Sequence, residues 1–175
     1  VHALAVTAIG ADRPGIVADV TAVLLREGCN LEDTAMSILR GQFAMVMVVS
    51  APEATDAGRL EAALAGATHD LLVQVRSLEG THETPEPEQL WTCTVYGADR
   101  PGIVHAVATA LAEMRVNIVD LTTRVAGTDP PLYSMVLDVA LPRGLDADDV
   151  RAALDDVGSR LDVSCALHAA DTDVL

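Results

Sequence analysis

Residues 10–17 of this 175-residue chain read GADRPGIV, and the same eight letters return at residues 97–104, 87 positions later. A chain this short carrying such a repeat is an internal duplication, so one small fold must account for each half. Each copy follows a strand-like run: Leu4, Val6 and Ala8 alternate in step with Trp91, Cys93 and Val95. Each precedes apolar residues at helical spacing, Ile16, Val20, Val23 and Leu24 in the first copy and Ile103, Val107, Ala110 and Leu111 in the second. The octapeptide is therefore a strand-to-helix turn. Both helices are expected to end at an Asn, Asn30 and Asn117, still 87 apart.

Beyond that point the second copy carries about three extra residues over 127–131, so the third strands align at an offset of 90. Phe43, Met45, Met47 and Val49 then match Tyr133, Met135, Leu137 and Val139. A second helix follows in each half, on Leu60, Ala63 and Leu64 and on Val150, Leu154, Val157 and Leu161, the latter opened by the cap-like acids Asp146, Asp148 and Asp149. Alternating strands close the halves, with Val73 and Val75 in one and Val163, Cys165 and Leu167 in the other. The order β-α-β-β-α-β, twice, predicts an α+β protein of two tandem ferredoxin-like units, each an antiparallel four-stranded sheet with its helices on one face. Units of this size bury little surface alone, which favours duplication. Residues 79–89 (EGTHETPEPEQ) hold two prolines, four glutamates and no large apolar side chain, as a linker does. The expected division is 1–79, a linker 80–89, and 90–175.

Charge and composition narrow the function. With 26 acidic and 11 basic residues the net charge is −15, which repels phosphate backbones and argues against direct nucleic-acid binding. The four aromatics, Phe43, Trp91, Tyr96 and Tyr133, do not cluster as a base-stacking platform. No apolar run is long enough to span a bilayer and no signal segment opens the chain, so a cytoplasmic protein with no membrane partner is expected. Cys29, Cys93 and Cys165 are odd in number and far apart, which suits small buried residues better than a disulfide framework or a zinc site. The histidines show no metal spacing, and no nucleophile elbow occurs, so neither metal, cofactor nor enzymatic activity is expected. Both termini end within a few residues of the repeats, so no fused catalytic domain is expected.

Within the octapeptide, Asp12 and Asp99 are placed as N-caps whose carboxylates accept from the amides of Gly15 and Gly102, with Pro14 and Pro101 in the first turn. The free amides at the positive end of the helix dipole then form a seat for a carboxylate. A glycine in a first turn costs on the order of 1 kcal/mol against alanine, so its presence in both copies implies close approach of something to that backbone, a ligand or the neighbouring strand. A phosphate-binding loop is rejected, because Ile16 and Val17 stand where Lys and Ser or Thr belong.

The DRPGIV turn after a first strand, with an Asn opening the second strand, resembles the ACT domain family. The run of residues 5–17 together with 28–33 is similar to the glycine cleavage system transcriptional repressor group of tandem ACT proteins. The resemblance implies a regulatory amino-acid sensor whose ligands sit between adjacent ACT units, against the strand-to-helix turn and the Asn-bearing second strand. Gly15, Asn30, Gly102 and Asn117 carry over directly, and Asp33 and Asp120 match as partners of a ligand ammonium or as structural acids. With Asp12, Arg13 and Ile16, and Asp99, Arg100 and Ile103, these make the candidate ligand-binding set. The second turn is as intact as the first, so two sites are implied. Each residue has a structural alternative: helix packing for the glycines, helix termination in the left-handed conformation for the Asn residues, solvation or a neighbouring carboxylate for the arginines. His105, where the first copy has Ala18, is a surface or capping residue or a ligand contact.

One outer sheet face is strongly apolar, with Ala3, Ala5, Thr7 and Ile9 beside Ala44, Val46 and Val48, whereas Thr92, Thr94, Ser134 and Asp138 make its counterpart more polar. The first face is expected to be covered by the second half, by a second copy in a homodimer, or by a protein partner. A pure assembly module that binds no metabolite is the alternative function.

Overall fold

The computed structural model describes residues 1–78, 89–127 and 131–170. The chain divides into two compact units, Val1–His82 and Glu83–Leu175. The first contains β1 (His2–Ala11), α1 (Ile16–Arg26), β2 (Asn30–Leu39), β3 (Gln42–Ala51), α2 (Ala57–Ala67) and β4 (Leu71–Ser77). The second repeats the order with β5 (Gln89–Ala98), α3 (Ile103–Glu113), β6 (Asn117–Ala126), β7 (Leu132–Leu141), α4 (Ala147–Leu161) and β8 (Val163–Ala169). The proposed linker falls almost wholly outside the described residues, as does the centre of the insertion at 128–130.

Both sheets are antiparallel, in the orders β2-β3-β1-β4 and β6-β7-β5-β8. Chain order and spatial order differ because each helix carries the chain across the sheet, which leaves β2 and β6 at one edge and β4 and β8 at the other. The period-two pattern read in the sequence becomes a buried face: Leu4, Val6 and Ala8 of β1 and Phe43, Met45, Met47 and Val49 of β3 lie under Ile16, Val20, Val23 and Leu24 of α1 and Leu60 and Leu64 of α2. Cys93, Val95, Tyr133, Met135, Leu137 and Val139 play the same part beneath Ile103, Val107 and Leu111 of α3 and Val150, Leu154 and Val157 of α4. Each such large side chain contributes roughly 1.5–3 kcal/mol by leaving water, and no described buried side-chain nitrogen or oxygen lacks a hydrogen-bond partner. Cys93 is buried and Cys165 packs against the same core.

The helix entries differ in kind. Asp56 caps α2, accepting from the Arg59 amide at 2.8 Å, and Asp146 caps α4, accepting from the Asp148 amide at 3.0 Å. Helices α1 and α3 have no side-chain cap; Gly15 (φ 91°) and Gly102 (φ 96°) occupy the N-cap position in the left-handed region. Asp12 and Asp99 are therefore not the caps expected from the sequence. They lie three residues too early, with backbone amides committed to Gly41 O (2.9 Å) and Pro131 O (3.3 Å). Pro14 and Pro101 belong to the turn before the helix and not to its first turn. Nor do Asn30 and Asn117 terminate α1 and α3. The left-handed residues there are Gly28 (φ 71°) and Arg115 (φ 60°), and each Asn is the first residue of its strand.

Candidate functional site

At the first turn the octapeptide's glycines do separate jobs. Gly10 is where the chain packs: a Cβ there would lie 2.5 Å from Leu71 Cδ2 and 2.6 Å from the Asp70 carbonyl oxygen. Gly15 is where the chain turns: a Cβ would meet only Arg13 Nη1, at 3.8 Å, and the positive φ is what demands glycine. The requirement at Gly15 and Gly102 is thus conformational, not the close approach of a neighbouring strand. Its consequence is chemical, because the first amides of a helix have no intrahelical acceptor, and here no side chain is spent on capping them.

Arg13 braces this turn. Its guanidinium donates to Asp70 (Nε to Oδ2, 2.5 Å; Nη2 to Oδ1, 3.2 Å), to Asp19 Oδ2 from Nη1 at 2.9 Å, and to the Pro14 carbonyl at 3.3 Å. The two carboxylates push the guanidinium further above its ordinary range, and Arg13 holds the Asp70 carboxyl below its own. Arg13 is thereby claimed by neighbouring acids, the structural alternative stated for it above. Between the turn and the edge strand lies a depression of about 330 Å³ lined by Asp12, Arg13, Gly15, Ile16, Val17, Ala18, Met36 and Phe43. Four candidate residues meet there. Met36 and Phe43 were missed, although strand alternation puts both on the helix face of the sheet: Met36 pairs with Met45, one step from Ile38 beside Phe43.

The second turn repeats the backbone but not the surroundings. Arg100 donates to Asp162 Oδ2 (3.2 Å) and to the Leu161 carbonyl (3.4 Å). Ala106 stands where the first copy has Asp19, so one bracing carboxylate is missing. By strand register Tyr133 replaces Phe43 and Thr123 replaces Met36. Ile103 is buried like Ile16, and His105 is exposed on α3.

The Asn and Asp candidates lie elsewhere. Asn30 pairs with Ser50, which pairs with Ala3, whereas the turn follows Ala11 at the other end of β1. At about 3.3 Å per residue the two are roughly 25 Å apart. Asp33 sits just past a register shift between Leu31 and Asp33, and pairing with Val48 puts it on the outer sheet face; its Oδ1 accepts from the Thr34 amide at 2.8 Å. Asn117 and Asp120 repeat these placements opposite Ala140 and Asp138. One unit therefore does not bring Asn30 and Asp33 to its own turn. Among the described residues no group of three or more His, Cys, Asp or Glu side chains could hold a metal ion, and no helix is long and apolar enough to cross a membrane.

Residues 2–77 and residues 91–159 each match a family model described as the ACT domain. The glycine cleavage system transcriptional repressor of Escherichia coli (strain K12) is 32% identical over 124 residues, 70% of this chain and 65% of that protein, so the match spans just under two thirds of the relative. A UPF0237 protein of Methanopyrus kandleri is 48% identical over 71 residues, 40% of this chain and 79% of that protein. The crystal structure of an unknown protein from Galdieria sulphuraria has a TM-score of 0.84 at 29% identity, covering 97% of this chain and 99% of that one.

Proposed function

The chain belongs to the ACT domain family, and from that premise we propose that it is a non-enzymatic regulator that senses a small amino acid at its two strand-to-helix turns and modulates a protein partner. ACT domains are in general regulatory, ligand-sensing modules. The observation that carries the reading is the contrast among the four helix entries of the described residues: two are capped by Asp, while α1 and α3 open on bare left-handed glycines. Uncapped amides at the positive end of a helix dipole suit a carboxylate, which every free amino acid supplies. Asn30 and Asp33 lie too far from their own turn to share its ligand, so a ligand that reaches both takes them from another ACT unit, such as one of a second copy in a homodimer. The finer reading, a transcriptional co-repressor of the glycine cleavage system type working through a partner protein, draws on the 32% identity to the Escherichia coli repressor. The net charge of −15 favours a partner over direct DNA contact.

A thermal-shift panel of the common amino acids tests the reading, since a ligand bound only by the folded state adds about 2.7 kcal/mol at a hundred times its Kd. At least one small amino acid should raise the melting temperature in a concentration-dependent way. A flat panel at millimolar concentrations would instead favour the pure assembly module. That second reading has its own support in the half-exposed apolar side chains of Ile9, Met36, Ile38 and Val46.

A further inference from the structure

We propose that β6 is the docking edge for a second copy of this chain, whose own β6 adds to it antiparallel about a two-fold axis at Thr122, so that Asp120 of each copy meets the partner's Arg124. This deepens the homodimer reading above by naming the strand, its register and its ion pairs.

The edges of the sheets are not treated alike. At the β4 edge, Glu61 of α2 accepts from the Val75 amide at 2.8 Å. At the β8 edge, Arg151 of α4, which follows Val150 as Glu61 follows Leu60, donates from Nε to the Leu167 carbonyl at 3.3 Å and lies 5.2 Å over the Trp91 ring. Side chains of opposite charge thus do one job, occupying a main-chain group that an edge strand would offer to an incoming strand. The β6 edge has no such guard: among the described residues no side chain is bonded to its main chain. Every residue of Asn117–Ala126 except Ile118 is exposed, including Val119 (56%), Leu121 (39%) and Val125 (52%). A strand of this length that is unguarded and partly apolar is a template for pairing.

The strand carries its own complement. Asp120, Thr122 and Arg124 pair with Asp138, Val136 and Ser134, so the three share the sheet face away from the helices. Among the described residues neither Asp120 nor Arg124 has an ion-pair partner. Asp120 lies directly opposite Asp138, and like charges so placed repel. The Thr92 hydroxyl donates to Asp138 Oδ1 at 2.9 Å, which satisfies Asp138 and brings no cation to the pair.

Cross-strand neighbours share a face and successive residues do not, so a two-fold antiparallel joint must set one residue against its own copy. With Thr122 on the axis, Asp120 faces the partner's Arg124, the axis repeats that pair, and Leu121 faces the partner's Thr123. With Leu121 or Thr123 on the axis, Asp120 faces Thr122 or Ala126 instead and the ion pairs are lost. Two copies of β2 have no equivalent, because the matching row there, Asp33, Ala35, Ser37 and Leu39, holds one charge. The net charge of −15 sets copies of the chain against each other, so their association needs local complementarity of this kind. Main-chain bonds and the apolar row supply affinity, and the charges fix partner and register. The same register brings the partner's Asn117 near the Ala126–Leu132–Ala98 end of the sheet, beside the turn from which Asn117 is remote in its own unit.

The test is sedimentation of the full chain as the parent, as Asp120→Arg, as Arg124→Asp, and as an equimolar mixture of the two variants, with melting curves to show that each variant is folded. The parent should dimerise, and each variant alone should dimerise at least about tenfold more weakly, since like charges then meet twice across the joint. The mixture should regain the parental affinity as one-to-one heterodimers, because each variant supplies the charges the other lacks. A parent dimer untouched by either substitution, or a mixture that does not recover, overturns the β6 joint while sparing the homodimer reading. A dimer lost with Arg124→Asp but kept with Asp120→Arg sets some other strand on this edge and overturns the register. A parent that stays monomeric at hundreds of micromolar overturns both the joint and the homodimer, whereas amino-acid sensing is judged separately by the thermal-shift panel.

Discussion

Alanine and asparagine scanning of Gly97 and Gly102 separates the octapeptide's two glycines, because they are required for different reasons. At Gly102 an added Cβ finds nothing within 4 Å, and the penalty is the positive φ alone, about 1–2 kcal/mol for an ordinary L-residue. Asn visits that region more readily than Ala, since its short side chain bonds locally, so Gly102→Asn should be the milder change. At Gly97 the backbone is ordinary, but a Cβ would sit 2.6 Å from Val163 Cγ1, 3.1 Å from its Cβ and 3.2 Å from its Cα. Overpacking of that kind costs about 1–3 kcal/mol and grows with side-chain size, so here Ala should be milder than Asn. Trp91, the single tryptophan, packs against the core of the same unit and reports its unfolding in urea. The midpoints should cross, Asn above Ala at 102 and Ala above Asn at 97, with unchanged slopes. The same rank order at both positions would refute the assignment of one glycine to turning and the other to packing.

Arg13 depresses the Asp70 carboxyl, so that pair's stabilisation is complete above the ordinary aspartate range near about 4 and is lost as pH falls through the lower folded value. Asp70→Asn should therefore melt below the parent at neutral pH and converge with it near about pH 2; a constant gap across that window would contradict the pairing. Burial pushes the Cys93 thiol up to about 12 and raises Cys29 and Cys165 as well. Thiol reagents at neutral pH should label the native chain slowly and all three cysteines promptly in denaturant; fast native labelling of Cys93 would contradict its burial. Val46 is 52% exposed, so Val46→Lys should cost under about 0.5 kcal/mol within its own unit. A large loss of melting temperature or of sedimenting mass would reveal a partner on that sheet face, and no change in either would show it open to water.

The fold was legible because its two signals are strong and repeat. The alternation ending in Phe43, Met45, Met47 and Val49 recurs in Tyr133, Met135, Leu137 and Val139, and the structure buries all eight. The turn was located correctly but its chemistry was not. Asp followed by Pro before an apolar helix reads as an N-cap, and only the backbone angle at Gly15 shows that the glycine itself takes that place. Asn30 sits two residues after the left-handed Gly28, so local sequence does not tell terminator from strand opener. The distance between Asn30 and the turn was hidden for another reason. It depends on which end of β1 lies level with the start of β2 across the intervening β3, a property of strand order that alternation does not encode. Arg13's bond to Asp70 spans 57 residues and is likewise invisible to spacing.

The central claim is that amino acids bind on the uncapped helix entries, and backbone amide NMR of the full chain tests it most directly. On titration with whichever amino acid raises the melting temperature most, the amides of Gly15, Ile16 and Val17, or of Gly102, Ile103 and Val104, should shift and saturate together. Gly15→Asp and Gly102→Asp, which set a carboxylate on those seats, should each abolish the response at its own turn. Saturating shifts confined to residues remote from both turns, or shifts at the turns that survive both substitutions, would contradict the account.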